Sequence, residues 1–391
     1  MDTLFIVVVL MEILGGIEID ICVPSFPEIQ NLFKISTFGV EGLLGINLFT
    51  ICIGSLIAGN LGDRYGRKPV ILNGLALFIF GSLLCVFAIN YPMLFAGRLV
   101  QGFGMSASAY LAYVIIPDTY DLKTHQKLLG LLNFFATAAM AVAPVIGSHI
   151  ALYCGWRGNF TFCLFFGILL FILGHFFLPP GVKNDKVSLS MSEYLNVLKN
   201  KKAMTYIFTI CFFVVGYWVF IGMAPFLYLN DLEVKLEHFG FYQGTMATVF
   251  AVVSLLSERL FTWFGIKKCF FASISVISGS LVFMIALVLA DSKNPLLITG
   301  AMALMSAGLI CPVNILWPHI FNATPNEKGK VNALYIFVKM VSISLLVQSI
   351  SYFYSGSFRI IGFVIALTLI FALFGSRKLF KMDQIFDNKK E

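Results

Sequence analysis

Among the charged residues that stand inside long apolar runs of this chain are Glu12, Glu18 and Asp20 in the first run and Arg98 and Lys339 in later ones. At the centre of a membrane helix such a side chain costs about 2.5–3.5 kcal/mol on insertion scales, so it is kept where it pairs, binds or carries charge. Eight residues separate Glu12 from Asp20, about 80° around a helix and about 12 Å along it. They share a broad face at two depths, Glu12 near the middle and Asp20 near the outer end. Carboxyls buried in an apolar face can exchange protons near neutral pH, so the two are candidates to take up and release protons. Glu18 lies about 200° from Asp20 and is expected to face elsewhere. Anchoring at the membrane surface is the ordinary alternative for Glu18 and Asp20. Arg98 lies about five residues below the outer surface, at the depth of Asp20, and the two are placed to pair. Lys339, about a third of the way into its helix, is either an interfacial lysine extended toward headgroups or a partner for a carboxylate. That carboxylate would be Glu12, Asp118 or an anionic group of a substrate.

Twelve apolar runs of membrane-spanning length must position these residues, over roughly 4–24, 40–61, 69–89, 93–116, 127–152, 158–178, 203–229, 239–262, 268–290, 295–320, 331–354 and 358–377. The composition agrees. Of 391 residues, 59% are hydrophobic and 12% charged, against about 25% charged in soluble domains, and the mean hydropathy is +0.90. The expected fold is therefore an all-α integral membrane protein. Residues 1–180 form one six-helix half, 181–202 a lysine-bearing linker that follows Pro179-Pro180, and 203–391 a second half. With both termini in the cytoplasm, the cytoplasmic segments carry 20 Lys or Arg and the outer loops 5, which sets the orientation by the positive-inside rule. The net charge of +7 sits in short loops and not on a patch, so a membrane face and not a nucleic acid accounts for it. The eight cysteines are scattered and read as small buried hydrophobes. The five histidines are dispersed and predict no metal site. The first run lacks a basic flank and a cleavage site, so it reads as a retained helix.

Between the second and third runs the chain reads Gly59-Asn60-Leu61-Gly62-Asp63-Arg64-Tyr65-Gly66-Arg67-Lys68. This G-x-x-x-D-R-x-G-R-K pattern resembles the signature loop of the major facilitator superfamily, with every fixed position matched. Arg98-x-x-Gln101-Gly102-x-Gly104 resembles the superfamily's helix-4 motif. The stretch around Pro144 and Gly147 resembles its helix-5 antiporter motif G-x-x-x-G-P-x-x-G-G, with Ala143 and Ser148 in place of glycines. Glu12 with Asp20-Ile21-Cys22-Val23-Pro24 and Pro27 is similar to the Bcr/CflA and MdfA-like drug:proton antiporters. A decayed echo of the signature loop, Glu258-Arg259, Gly265, Lys267-Lys268, follows the eighth run and supports two repeated halves.

The resemblance implies a major facilitator fold, proton and drug binding at Glu12 and Asp20, coupling through Arg98, and gating by Asp63 with Gly59, Arg64, Gly66, Arg67 and Lys68. The expected protein is a monomer in a bacterial inner membrane. It exports a small amphiphilic compound in exchange for protons, without a cofactor, as a multidrug or antibiotic-resistance exporter would. No Gly-Lys-Ser/Thr phosphate loop is present, so the membrane potential has to drive transport. At ~100 mV one proton sustains about a fifty-fold gradient. The alternatives are a proton-coupled importer, or a dedicated exporter of an anionic or zwitterionic metabolite, which Lys339 would suit. A polytopic membrane enzyme would need a clustered His and Asp, Glu or Cys site near an interface, and the histidines are not clustered. Tyr110, Tyr113, Tyr217, Trp218 and Trp317 are candidates to line a cavity or to pack on lipid.

Overall fold

A computed structural model of the protein describes residues 2–120, 122–180, 197–323 and 328–383. Most of the expected linker (181–196) and the side chain of Asp63 lie outside the described residues. Among the described residues there is no strand. The helices are α1 (Thr3–Asp20), α2 (Phe26–Phe33), α3 (Thr37–Tyr65), α4 (Arg67–Val86), α5 (Tyr91–Thr119), α6 (Leu122–Phe177), α7 (Lys201–Pro225), α8 (Leu236–Phe264), α9 (Ile266–Leu289), α10 (Pro295–Ala323), α11 (Lys328–Phe353) and α12 (Phe358–Asp383). At Gly155 (φ 65°, ψ −177°) α6 breaks into two arms. Only glycine takes up that conformation readily, and it falls between the fifth and sixth predicted runs. With α6 counted as two arms and the short α2 set aside, twelve long helices result. Ten segments of the described chain are long and apolar enough to cross a membrane. Both arms of α6 enter as one of these, and α1, with three acids in 18 residues, is not among them.

The first helix ends at Asp20, four residues earlier than the apolar run suggests. Pro24 has no N–H to donate to the Asp20 carbonyl, so a 3₁₀ turn at Val23–Ser25 follows and leads into α2. Asp20 is thereby the last residue of α1. At the other end Asp2 caps the helix, accepting from Phe5 N (3.0 Å) and from the Tyr120 hydroxyl (2.7 Å). The Tyr120 hydrogen bond is the main cause that holds the exposed Asp2 carboxyl below its ordinary value. Ser36, Asn90 and Asn200 cap α3, α5 and α7 in the same way.

The chain divides into two compact units. One comprises residues 1–189 with 228–247, the other 190–227 with 248–391. In the first, α5 packs on α3 and α4, α1 on α6 and α5, and α4 on α6. Its core includes Phe5, Met11, Leu14, Phe78, Met105 and Leu111. In the second, α9 packs on α10 and α12, and α7 on α10, α11 and α12. The pairings α4–α5 and α1–α5 thus recur as α9–α10 and α7–α10. The joints recur as well. Gly66, between α3 and α4, has φ 93° and ψ 154°, and Gly265, between α8 and α9, has φ 80° and ψ 148°. The weak sequence echo at Gly265 is therefore an echo of backbone conformation.

Candidate functional site

The buried charge in the first unit is organised around Arg98, and its partner is Glu18. Arg98 Nη1 lies 2.5 Å from Glu18 Oε1, with the two side chains 1% and 0% exposed. This corrects the expected pairing with Asp20 and the surface reading of Glu18. The reason is the rotation of α1. Gly15 faces Met105 and Ala109 of α5, and Gly16 faces Ala136 and Met140 of α6. At about 100° per residue, Glu18 then points to the flank shared by α5 and α3, and Asp20 to the flank of α6.

Neighbouring side chains and carbonyls hold the pair through Glu18 Oε1 and through Arg98 Nη1 and Nε, while Glu18 Oε2 and Arg98 Nη2 have no hydrogen-bond partner. Asn47 Nδ2 of α3 donates to Glu18 Oε1 (2.9 Å) and to the Arg98 carbonyl (3.2 Å). Arg98 Nη1 also reaches Gln101 Oε1 (2.7 Å), and Nε reaches the Leu43 carbonyl at 3.5 Å. Gln101 Nε2 donates to Ser82 Oγ (2.9 Å), which donates to the Phe78 carbonyl. The Phe160 ring lies 5.9 Å from the guanidinium. These contacts need helices in close approach. A Cβ on Gly102 would stand 2.5 Å from the Asn47 carbonyl oxygen, and one on Gly104 would collide with the Phe78 backbone. That is the steric reason for the small residues in Arg98-x-x-Gln101-Gly102-x-Gly104. Asn47 and Ser82, both wholly buried, had no motif to announce them.

The other acids lack such company. Glu12 (6% exposed) accepts a hydrogen bond from Tyr113 of α5, and its Oε1 has no hydrogen-bond partner. Asp20 (2% exposed) has an unpartnered Oδ1. Around α1, Glu12 falls between Gly15, which faces α5, and Gly16, which faces α6, and Asp20 falls about 80° further on, on the α6 side. Near Asp20, Gly147 meets the Ile21 carbonyl, and Gly240 of α8 approaches the Pro144 carbonyl oxygen and the Val145 backbone. Pro144 and Gly147 thus mark where the end of α1 and the start of α8 press on α6. Pro144 stays inside a continuous arm, and its carbonyl accepts from Ser148 Oγ.

In the signature segment, Arg67 Nε meets Asp118 Oδ2 of α5 at 3.1 Å. Gly59 abuts the ring of Tyr110, Gly62 abuts Leu111, and Arg64 and Lys68 lie near the C-terminal end of α3 and the start of α4. In the second unit, half-buried Lys339 stands 5.5 Å from the centroid of the Tyr335 ring, and Trp317 meets Tyr335 edge-on at 4.6 Å. Tyr206 stacks on His319 at 6.1 Å. Tyr217 lies against Phe250 and Trp218. Seven cysteines are buried as expected, and Cys154, beside the Gly155 break, is exposed. An apolar groove of about 470 Å³ runs between α3, α4 and α5 past Gly54, Tyr65 and Ser106, away from the buried acids. None of Glu12, Glu18, Asp20 and Glu41 lines that groove.

A Bacillus subtilis protein described as an uncharacterized MFS-type transporter, YdgK, is 30% identical over 242 residues, 60% of each chain. The Haemophilus influenzae bicyclomycin resistance protein homolog is 24% identical over 322 residues, covering 78% of this chain and 80% of its own. Escherichia coli multidrug resistance protein MdtL is 29% identical over 243 residues, 61% of this chain and 60% of its own. The matched region thus spans 60% of the length of the Bacillus relative and of MdtL. Among solved structures, a D-xylose-proton symporter superposes with a TM-score of 0.74 over 95% of this chain and 96% of its own at 15% identity. A bacterial homolog of the human lysosomal transporter Spinster gives 0.72 over 98% and 96%, also at 15% identity. At such identities the likeness speaks for the fold, twelve membrane helices in two six-helix halves. Residues 8–347 match the sequence profile of the Major Facilitator Superfamily, and the chain belongs to that family.

Proposed function

We propose that this transporter exports small amphiphilic compounds from the cytoplasm by antiport with protons, in a bacterial inner membrane and as a monomer with both termini cytoplasmic. One observation carries the reading. Glu12 and Asp20 lie about 80° apart on α1, each with a buried oxygen that no hydrogen-bond donor meets, and Arg98, which pairs with Glu18, pairs with neither of them. A buried unpaired carboxylate is costly, so each acid either holds a proton or gives it up when a substrate binds. Competition between proton and substrate for one cavity is the elementary step of antiport. The names of the Haemophilus and Escherichia relatives, with bicyclomycin or multidrug resistance in them, support a drug-like substrate. Asp63 would act as the gate beside the positive N-terminal end of a neighbouring helix, in a segment already tied to α5 through Arg67 and Asp118.

Inverted membrane vesicles holding a pH gradient test the proposal. Adding a transported compound should discharge the gradient in the wild type, not in Asp20→Asn, and for few or no compounds in Glu12→Gln. Discharge that survives in the double variant eliminates these two acids as carriers. A wild type that discharges nothing across a broad panel of drugs and metabolites refutes proton-coupled export.

Lys339 supports a second reading of the substrate. A half-buried ammonium over Tyr335, with Trp317 edge-on to the same ring, suits the anionic group of a planar compound better than a lipophilic cation. Under this reading the exported compound is zwitterionic or anionic.

A further inference from the structure

We propose that Glu41 is an additional proton-carrying group of the transporter, separate from Glu12 and Asp20; the inference rests on the proton-coupled reading above. Glu41 lies in the second turn of α3. Its side chain is 0% exposed, and neither carboxyl oxygen has a hydrogen-bond partner. Glu12, Glu18 and Asp20 each leave one oxygen unpartnered, whereas Glu41 leaves both.

The geometry explains the isolation. Gly39, Leu43 and Asn47 form the face of α3 that meets α5, through Tyr91 Oη on the Gly39 carbonyl, Arg98 on the Leu43 carbonyl and Asn47 on the Arg98 carbonyl. Glu41 is about 200° around the helix from Gly39, on a second buried stripe that continues through Leu44, Leu48, Cys52 and Ser55. That stripe has no cation, and its hydroxyl is spent on the Cys52 carbonyl.

The helices packed most extensively against α3 are α5, α4, α2 and α1, and among the described residues their basic groups lie elsewhere. On α5, Arg98 is held by Glu18 and Gln101 on the opposite face of α3. On α4, Arg67 and Lys68 lie at the far end, beside the C-terminus of α3. On α2, exposed Glu28 is hydrogen-bonded to the Trp156 backbone. Gln30, the polar side chain of α2 that touches α3, donates to Thr37. Lys34, at the C-cap of α2, is exposed. On α1, Glu12, Glu18 and Asp20 are themselves acids. Among the described residues Glu41 therefore has neither a counter-charge nor a donor, and its resting form in this proposal is the neutral acid.

Releasing that proton leaves a bare carboxylate in an apolar wall, which the helix relieves only by moving or by admitting a cation or water. From Glu41, α3 runs unbroken to Asp63, about 33 Å along the axis, so a change at Glu41 is delivered rigidly to the signature segment. Glu41 thus joins a proton site at one end of α3 to the segment at its other end.

The test counts protons. Purified protein in weakly buffered detergent solution, with a pH indicator, is mixed with a compound that the wild type transports. Glu41→Gln should release one proton fewer per bound substrate than the wild type, with affinity within about two-fold, and Glu41→Asp should restore the count. An unchanged count and pH midpoint in Glu41→Gln overturns the proposal while leaving proton coupling intact. A wild type that releases no proton fails the proton-coupled reading, and Glu41 falls with it. Should Glu41→Gln not fold, the wild type is treated with dicyclohexylcarbodiimide, which modifies protonated carboxyls in apolar surroundings. Labelling of Glu41 by mass spectrometry, suppressed by substrate, sustains the role, and absence of label at Glu41 ends it.

Discussion

Arg98 carries five potential donors in a rigid fork; Nη1 meets one carboxylate and one amide, Nε one backbone carbonyl, and Nη2 has no hydrogen-bond partner. Breaking a buried ion pair by removing one partner typically costs about 3–5 kcal/mol, because the other charge is stranded. Glu18→Gln and Arg98→Gln should each lower thermal stability in detergent markedly. The double variant should lose less than the sum, with a coupling of about 0.5–3 kcal/mol. The same cycle run with Asp20→Asn should show no coupling to Arg98. Coupling to Asp20 in place of Glu18 would return the arginine to the partner that the sequence suggested. Lys339 belongs to the same scale. One hydrogen bond to a charged group contributes about 1.5–3 kcal/mol, so Lys339→Gln should slow transport of an anionic or zwitterionic substrate roughly tenfold to a hundredfold. Export of cationic dyes should be unchanged or faster. If every transported compound is handled as in the wild type, Lys339 is an interfacial lysine and the anionic-substrate reading is wrong.

At the scale of elements, the joints of the helices depend on glycine. Gly66 and Gly265 adopt a φ near +90° with extended ψ, a region that costs other residues about 1–3 kcal/mol. A Cβ on Gly265 would meet nothing within 4 Å, so Gly265→Ala isolates the strain. That variant should lose about 1–3 kcal/mol in a denaturation assay with the helix pairing retained. Full stability of Gly265→Ala would mean that the joint relaxes to another conformation. The elements themselves were legible from apolar run length, and their ends from Gly, Pro, Asn and Ser. The end of α1 was misread because the apolar run continues to Pro24, whereas the backbone stops where Pro24 withholds its N–H. That difference of four residues puts Asp20 at a helix terminus and not within a turn.

For the whole molecule, charge asymmetry sets the expectation that tertiary structure does not test. The 20 basic residues assigned to the cytoplasmic side against 5 outside predict a cytoplasmic 181–202 segment. In a background where the exposed Cys154 is replaced, Asn184→Cys should resist an impermeant thiol reagent in intact cells and react once the membrane is opened. Ready labelling in intact cells would invert the orientation and exchange the roles of the two membrane faces in export.

Residue types and spacing alone determined that the chain is a bundle of membrane helices, that residues 59–68 form its signature segment, and that Glu12, Asp20 and Arg98 are charges in apolar surroundings. These follow from one-dimensional facts: run length against bilayer thickness, a fixed motif, and the cost of charge in hydrocarbon. Which charges meet was decided only in three dimensions. An error of one residue in the rotation of α1 turns a side chain by about 100°, enough to exchange Glu18 for Asp20 at Arg98. Asn47, Ser82 and Glu41 could not be singled out, because a lone Asn, Ser or Glu near a helix end is ordinary in sequence. Only the packing of α3 between its neighbours, which removes water from both its buried faces, makes Asn47 a bridge and Glu41 an acid without a partner.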